Sequence, residues 1–147
     1  MMPLAPSRPA ALLTAALCAL ALAVPPAQAQ SPSFGLELNT LEDVDGDCRL
    51  TFVALNATGV ALEATAYEVV VFDEGGAVSD RLILEFGRLP EDKTRVVQFL
   101  LDRPCSRMSR LLLNDADQCV NAVGQEVPVC LDLLVTSSRV DAVQFGS

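Results

Sequence analysis

The chain contains no histidine and no tryptophan, and Tyr67 is its single tyrosine. Histidine is the commonest general acid–base group and a frequent metal ligand, so its absence removes the side chain on which most catalytic triads and many zinc sites depend. The scarcity of tryptophan and tyrosine leaves no evident aromatic platform for a sugar ring. The 19 acidic residues still permit two-carboxylate chemistry, but no constellation of residues points to it. The sequence predicts that the protein is not an enzyme.

Motifs that bind cofactors or activate nucleophiles are also missing. The sequence has no G-x-S-x-G elbow and no C-x-x-C redox pair. Structural zinc prefers cysteines in close pairs, and no two cysteines are that close. We therefore expect no catalytic residue, no cofactor and no metal ligand.

The first 29 residues have the layout of a secretory signal. Arg8 is their only charged residue, and the uncharged run 10–24 leads to Ala27-Gln28-Ala29, a small-x-small cleavage site. The run is about 15 residues long, short of the ~20 that span a bilayer as a helix. We predict a cleaved signal peptide at 1–29, a single domain at 30–147, and a periplasmic or secreted location with no membrane span in the mature chain.

Negative charge dominates the mature domain. The whole chain has 10 basic and 19 acidic residues, and removal of the signal takes away one basic and no acidic residue, so the net charge moves from −9 to −10. Such a surface repels nucleic-acid phosphates and anionic lipid headgroups. We expect no nucleic-acid partner. The charge maintains solubility, or it attracts a basic protein or a cation.

Alternation of apolar and polar residues predicts about seven short strands. They span about 34–42, 48–54, 63–72, 78–86, 94–101, 109–114 and 129–137. Asp-Gly in the first connection is a strong hairpin signal. Strands at this spacing favour an all-β fold, a single antiparallel β-sandwich, with a small β-barrel as the main competitor. The segment 115–128 is predicted as a loop that could include a helix.

Three segments resemble immunoglobulin-like or fibronectin-III-like modules of bacterial envelope proteins. They are LTFVALNATG at 50–59, YEVVVFD at 67–73 with the following Gly75-Gly76, and LPEDKTRVVQF at 89–99. The mature chain is similar to uncharacterised exported proteins of Gram-negative bacteria. The resemblance implies an immunoglobulin-like sandwich and no particular activity. The chain departs from antibody domains because it lacks tryptophan and the core cysteine spacing.

Four cysteines remain once Cys18 leaves with the signal: Cys48, Cys105, Cys119 and Cys130. An even number in an exported domain predicts two disulfides, and four cysteines allow three pairings. If strands run alternately up and down, the start of strand two and the loop after strand five lie at one end. The loop after strand six lies at the other end. This arrangement predicts the pairs Cys48–Cys105 and Cys119–Cys130.

Two acidic clusters could hold a calcium ion weakly, although acidic surface turns explain them more simply. The first fails the EF-hand pattern because its sixth and twelfth positions are Cys48 and Ala54. The clusters are Asp43, Asp45 and Asp47, and then Asn114, Asp115 and Asp117. Asn56-Ala57-Thr58 matches the N-glycosylation pattern, a short match that occurs often by chance.

Export, a sandwich fold, an acidic surface and the lack of catalytic groups together favour a non-enzymatic periplasmic module that binds another envelope protein. Edge strands or the end loop 115–128 would provide the contact. The alternative is a carrier of a small ligand or of calcium that uses the acidic loops.

Overall fold

The computed structural model describes residues 30–147, which form eight β-strands, one single-turn α-helix and a 3₁₀ turn at Cys105–Arg107. The signal peptide predicted at 1–29 lies outside the described residues. Within 30–147, no helix has the length and apolar character needed to cross a bilayer. The elements are β1 (Ser33–Val44), β2 (Asp47–Ala57), β3 (Leu62–Phe72), β4 (Val78–Glu85), β5 (Lys93–Leu101), β6 (Arg110–Asn121), α1 (Val129–Asp132), β7 (Leu134–Ser138) and β8 (Gln144–Gly146).

The strands form two four-stranded sheets. The first has the order β5-β2-β1-β7 and the second has the order β4-β3-β6-β8. The chain passes from the first sheet to the second between β2 and β3, and it returns between β4 and β5. The all-β class predicted from the sequence is therefore confirmed, with two separate sheets.

The β1–β2 hairpin shows why local sequence determines local structure here. Asp45 and Gly46 form its two-residue turn, with φ angles of 54° and 97°, and Val44 pairs with Asp47 beside it. A turn with two positive φ angles suits Asp-Gly, because glycine has no Cβ to clash and aspartate tolerates the left-handed region.

A single core lies between the sheets. The alternation in β2 buries the side chains that the sequence predicts to share one face, Cys48, Leu50, Phe52 and Ala54. Phe34 of β1 packs against Tyr67 of β3 with ring centroids 6.0 Å apart. Phe52 meets Phe86, which follows β4, edge to face at 5.6 Å. The two layers are thus joined by aromatic contacts in addition to aliphatic packing.

The prediction of a purely antiparallel arrangement is wrong for two strand pairs. β7 runs parallel to β1, and β8 runs parallel to β6. Parallel neighbours need a long connection instead of a tight turn, and both late strands reach their neighbours from distant parts of the chain. Alternation identifies a strand but not the direction of the strand beside it.

The first half of the predicted loop 115–128 is strand, because β6 continues to Asn121 opposite β3. Three register shifts interrupt the β3–β6 pairing. These shifts leave Asp117 and Gln118 exposed while Cys119 is buried, so the segment lacks the alternation by which strands are recognised. The connecting segment is reduced to 122–128.

The predicted strand 129–137 begins instead as helix α1. The backbone oxygen of Pro128 accepts hydrogen bonds from the N–H groups of Leu131 and Asp132 at 3.1 and 3.0 Å. Proline favours the start of a helix because its φ angle is already suitable. Strand β7 follows only at Leu134. A short apolar run of this kind is ambiguous in sequence, since periodicity does not separate one helical turn from a strand.

Candidate functional site

Two edge strands, β4 and β5, lie on the same side of the molecule and belong to different sheets. β4 pairs with β3 and β5 pairs with β2, and neither has a second strand neighbour within the described residues. Each strand therefore keeps one row of backbone N–H and C=O groups without a sheet partner. The connection between them, 86–92, is fixed where Leu62 and Leu89 exchange backbone hydrogen bonds of 3.0 and 2.9 Å.

A groove of about 590 Å³ with both apolar and polar lining separates the two strands. Leu82 and Leu84 line it from β4, and Phe99 and Leu101 line it from β5. Leu84 and Leu101 are buried, whereas Leu82 and Phe99 are half-buried. Phe99 packs edge-on against Phe86 with ring centroids 5.2 Å apart. The hydrophobic core thus reaches the surface along this side.

A guanidinium group closes one end of the groove. Arg103, just beyond β5, donates to Ser79 Oγ at 2.9 Å and to Asp80 Oδ2 at 2.7 Å. These bonds link the end of β5 to the start of β4. The Nε of Arg103 is buried and has no hydrogen-bond partner in 30–147. The groove therefore ends in a polar wall that contains an unused donor.

A second arginine contacts the connection between the two strands. Arg95 of β5 donates to the backbone oxygen of Arg88 at 2.8 Å. Arg88 is itself paired with Glu63 at 3.0 Å. Lys93 and Arg95 form no ion pair among residues 30–147. Arg95 therefore links β5 to the connection that follows β4.

This arrangement suits an extended polypeptide. An added strand satisfies its backbone on a free sheet edge, and its alternate side chains enter the groove. The groove-lining side chains also include Asp80 and Asp102, but Asp80 is already occupied by Arg103. The site can therefore offer backbone pairing, apolar contact and, at one end, the Asp102 carboxylate and the free Nε of Arg103.

The cysteines predicted to form disulfides lie in two bonded pairs. Cys48 at the start of β2 pairs with Cys105, with Cα atoms 4.7 Å apart. Cys119 pairs with Cys130 at 6.0 Å. This is the pairing that strand alternation predicts, although Cys119 lies in β6 instead of a loop. The first pair fastens the chain immediately after β5, and the second fastens α1 to β6.

The two acidic clusters have local partners. Asp43 accepts the backbone N–H of Cys105 at 2.8 Å, which links the first hairpin to the turn after β5. Asn114 donates to Glu68 at 2.6 Å, and Asp115 accepts the N–H of Ala116 at 2.8 Å. No set of three or more metal-ligating side chains converges within residues 30–147.

Asn56, part of the glycosylation pattern, is fully buried. Its amide nitrogen donates to the oxygens of Val60 and Leu89, both at 2.8 Å, and its oxygen accepts the Thr58 hydroxyl at 2.7 Å. The side chain joins the end of β2 to the connection that leads from β4 to β5. It positions one end of the groove.

Tyr67 is buried, and its hydroxyl donates to the backbone oxygen of Cys130 at 2.7 Å. Burial raises the pKa of the phenol above its ordinary value of 10.0. Its ring packs against Phe34 and Phe86. Tyr67 therefore connects β3 to α1 and is not available as a surface group.

The groove itself has no signal in the sequence. The runs LILEF at 82–86 and VVQFLL at 96–101 are typical of core strands, and only the sheet order shows that both lie at edges. Comparison of the chain with protein-family models, curated proteins and solved structures finds no match.

Proposed function

We propose that the chain is a non-enzymatic binding module of the bacterial envelope, exported through a signal peptide that ends at Ala29, and that it holds an extended segment of another envelope protein in the groove between β4 and β5. The observation that carries this proposal is the groove between two unpaired strand edges, with leucine and phenylalanine side chains along it and charged groups at one end. Such edges bind protein segments through main-chain hydrogen bonds, while the side-chain pockets provide selectivity.

The proposal includes an immunoglobulin-like sandwich of about seven main strands. The pairing of β2 with both β1 and β5, and of β3 with β6, supports this assignment, because B–A, B–E and C–F pairs form the centre of such sandwiches. The position of β4 beside β3 departs from constant-type antibody domains but matches the strand that variable-type domains add to that sheet, whereas the parallel β1–β7 pair lies outside this pairing scheme. β8, with three residues, adds little to the sheet.

The groove favours a protein partner over a small molecule for a geometric reason. It is an open channel between two strands, and its walls offer rows of backbone donors and acceptors instead of a few converging polar groups. The two disulfides support work in an oxidising compartment such as the periplasm, where such bonds persist.

The proposal is tested by capture of envelope proteins on the immobilised, exported protein. Leu82→Gln places an amide on the groove floor, so we expect it to lose the captured protein. Val78→Gln is the matched control, because Val78 lies on the same strand, is 60 % exposed and does not line the groove. We expect the control to capture as the unmodified chain does.

Both variants are first shown to be folded by far-ultraviolet circular dichroism. Equal capture by the two variants, or the absence of any captured protein with the unmodified chain, contradicts the proposal.

A further inference from the structure

The free edge of β5 differs from the other three sheet edges. β5 pairs with β2 over nine residues in unbroken register. β4 carries Asp80 and Arg81 and has a register shift against β3, β7 has five residues, and β8 has three. Charges, bulges and short length are the usual means by which a sheet edge avoids pairing with another chain. β5 is long and has no bulge against β2, and its only charged residues, Lys93 and Arg95, lie near its start.

The exposed part of β5 is apolar. Residues 96–101 read VVQFLL and contain no charge, no proline and no glycine. Val96 and Leu100 point outward and are 61 % and 57 % exposed, while Val97 and Phe99 are half-buried on the inner face. A regular uncharged strand at an edge is a template for a further strand.

We propose that β5 pairs antiparallel with β5 of a second copy of this chain, and that the two first sheets join into one sheet of eight strands. This inference goes beyond the proposed function, because it places a second copy of this chain on the β5 edge and leaves the β4 edge and the groove to the other protein. The parallel alternative is disfavoured, because it would place Lys93 beside Lys93 and Arg95 beside Arg95 across the new pair.

The sequence of β5 is self-complementary about Gln98. With the two-fold axis at Gln98, the outward residue Val96 lies opposite Leu100, and the inward residue Val97 lies opposite Phe99. Apolar side chains of similar size therefore meet on both faces. This register sets Arg95 against Leu101, whereas a shift centred on Val97 would set Arg95 against Phe99 and also Val96 against Gln98, so the Gln98 register keeps more apolar pairs.

The edge and the groove share Leu100, which points outward from β5 and also lines the groove, but each has a residue of its own. Gln98 lies on the outer face of β5, where its amide donates to Thr51 at 3.0 Å, and it does not line the groove. Leu82 lines the groove from β4 and lies outside β5. Pairing through β5 leaves the edge of β4 unpaired in each copy. Dimerisation and partner capture can thus be disrupted independently.

Sedimentation velocity of the exported protein over a concentration series tests the inference. We expect a reversible dimer. Gln98→Lys places two ammonium groups side by side at the axis and is expected to give a monomer at every concentration. Gln125→Lys, the same change at an exposed position in the 122–128 connection, is expected to remain dimeric. Gln98→Cys is expected to form a covalent dimer on mild oxidation, while Gln125→Cys does not.

A monomer at all concentrations without a Gln98→Cys cross-link overturns the inference, and so does a dimer that Gln98→Lys leaves intact. The two proposals are distinguished by their variants. Leu82→Gln should abolish capture and keep the dimer. Gln98→Lys should abolish the dimer and keep capture.

Discussion

The side chain of Asn56 joins segments that are far apart in the sequence. Its amide links the end of β2 to Val60 and to Leu89, which lies on the connection between the two groove strands. Because the amide is buried, no solvent replaces these bonds when it is lost. The sequence match to the glycosylation pattern, which occurs often by chance, falls here on a side chain that is an internal cross-link.

Asn56→Ala is expected to lower the free energy of unfolding by about 2–4 kcal/mol, because it removes the amide bonds to the Val60 and Leu89 oxygens and the acceptor of the buried Thr58 hydroxyl. Urea unfolding followed by circular dichroism measures the loss. Asn114→Ala is the control, since Asn114 is exposed, and we expect it to cost less than about 1 kcal/mol. Similar losses for the two variants would contradict the role assigned to Asn56.

Tyr67 is the one tyrosine of the chain, so alkaline titration of its absorbance reports on a single site. Tyr67→Phe removes the donor to the Cys130 oxygen and is expected to cost about 1–2 kcal/mol at neutral pH.

The raised pKa of Tyr67 also predicts how stability depends on pH. Below pH 10 the phenol is protonated in both states and contributes no pH dependence. Above pH 10, the ordinary pKa, the unfolded chain releases the proton while the folded protein retains it, so the free energy of unfolding falls as pH rises. We expect Tyr67→Phe to lack this alkaline decline in urea unfolding measured across pH. An equal decline in both proteins would show that Tyr67 does not cause it.

At the scale of the elements, the extent to which sequence predicts structure depends on how local the cause is. The β1–β2 hairpin is predictable because Asp45-Gly46 and the flanking alternation act within a few residues. The extension of β6 is not predictable in this way, because it depends on register shifts against β3, which is distant in the sequence. The helical turn at Val129–Asp132, which bonds to Pro128, is not predictable either, because its sequence is ambiguous between helix and strand. The groove depends on sheet order, which no local pattern encodes.

Gly46 and Gly35 give a matched pair of tests for the hairpin. Gly46→Ala has free space around the new methyl group but a φ of 97°, so we expect a loss of about 1 kcal/mol from backbone strain alone. Gly35 lies in β1 without a positive φ, and a Cβ there would meet Leu55 Cβ at an ordinary 3.5 Å. Gly35→Ala is expected to be neutral or slightly stabilising in thermal melting. A larger loss of stability for Gly35→Ala than for Gly46→Ala would contradict the positive-φ turn assigned to Gly46.

At the scale of the whole molecule, two disulfides constrain a small domain. Cys48–Cys105 joins residues 57 positions apart, and Cys119–Cys130 joins residues 11 apart. The chain-entropy model assigns about 4 kcal/mol to the long loop and about 3 kcal/mol to the short one. These are large contributions beside the ~5–15 kcal/mol of a typical domain.

Replacing Cys48 and Cys105 together by alanine should therefore lower stability by about 1 kcal/mol more than replacing Cys119 and Cys130. Urea unfolding of the two double variants under non-reducing conditions makes the comparison. A larger loss for the Cys119–Cys130 pair would indicate that its link between β6 and α1 matters more than loop length.

The central claim is that the open side of the molecule, between β4 and β5, holds a segment of another protein. Site-specific photo-crosslinking in the intact envelope tests it most directly, with the reactive side chain placed at Leu82 in the groove or at Val135, an exposed position on the opposite edge strand of the first sheet. We predict a discrete adduct from position 82 and none from position 135. No adduct at 82, or the same adduct from both positions, would contradict the claim.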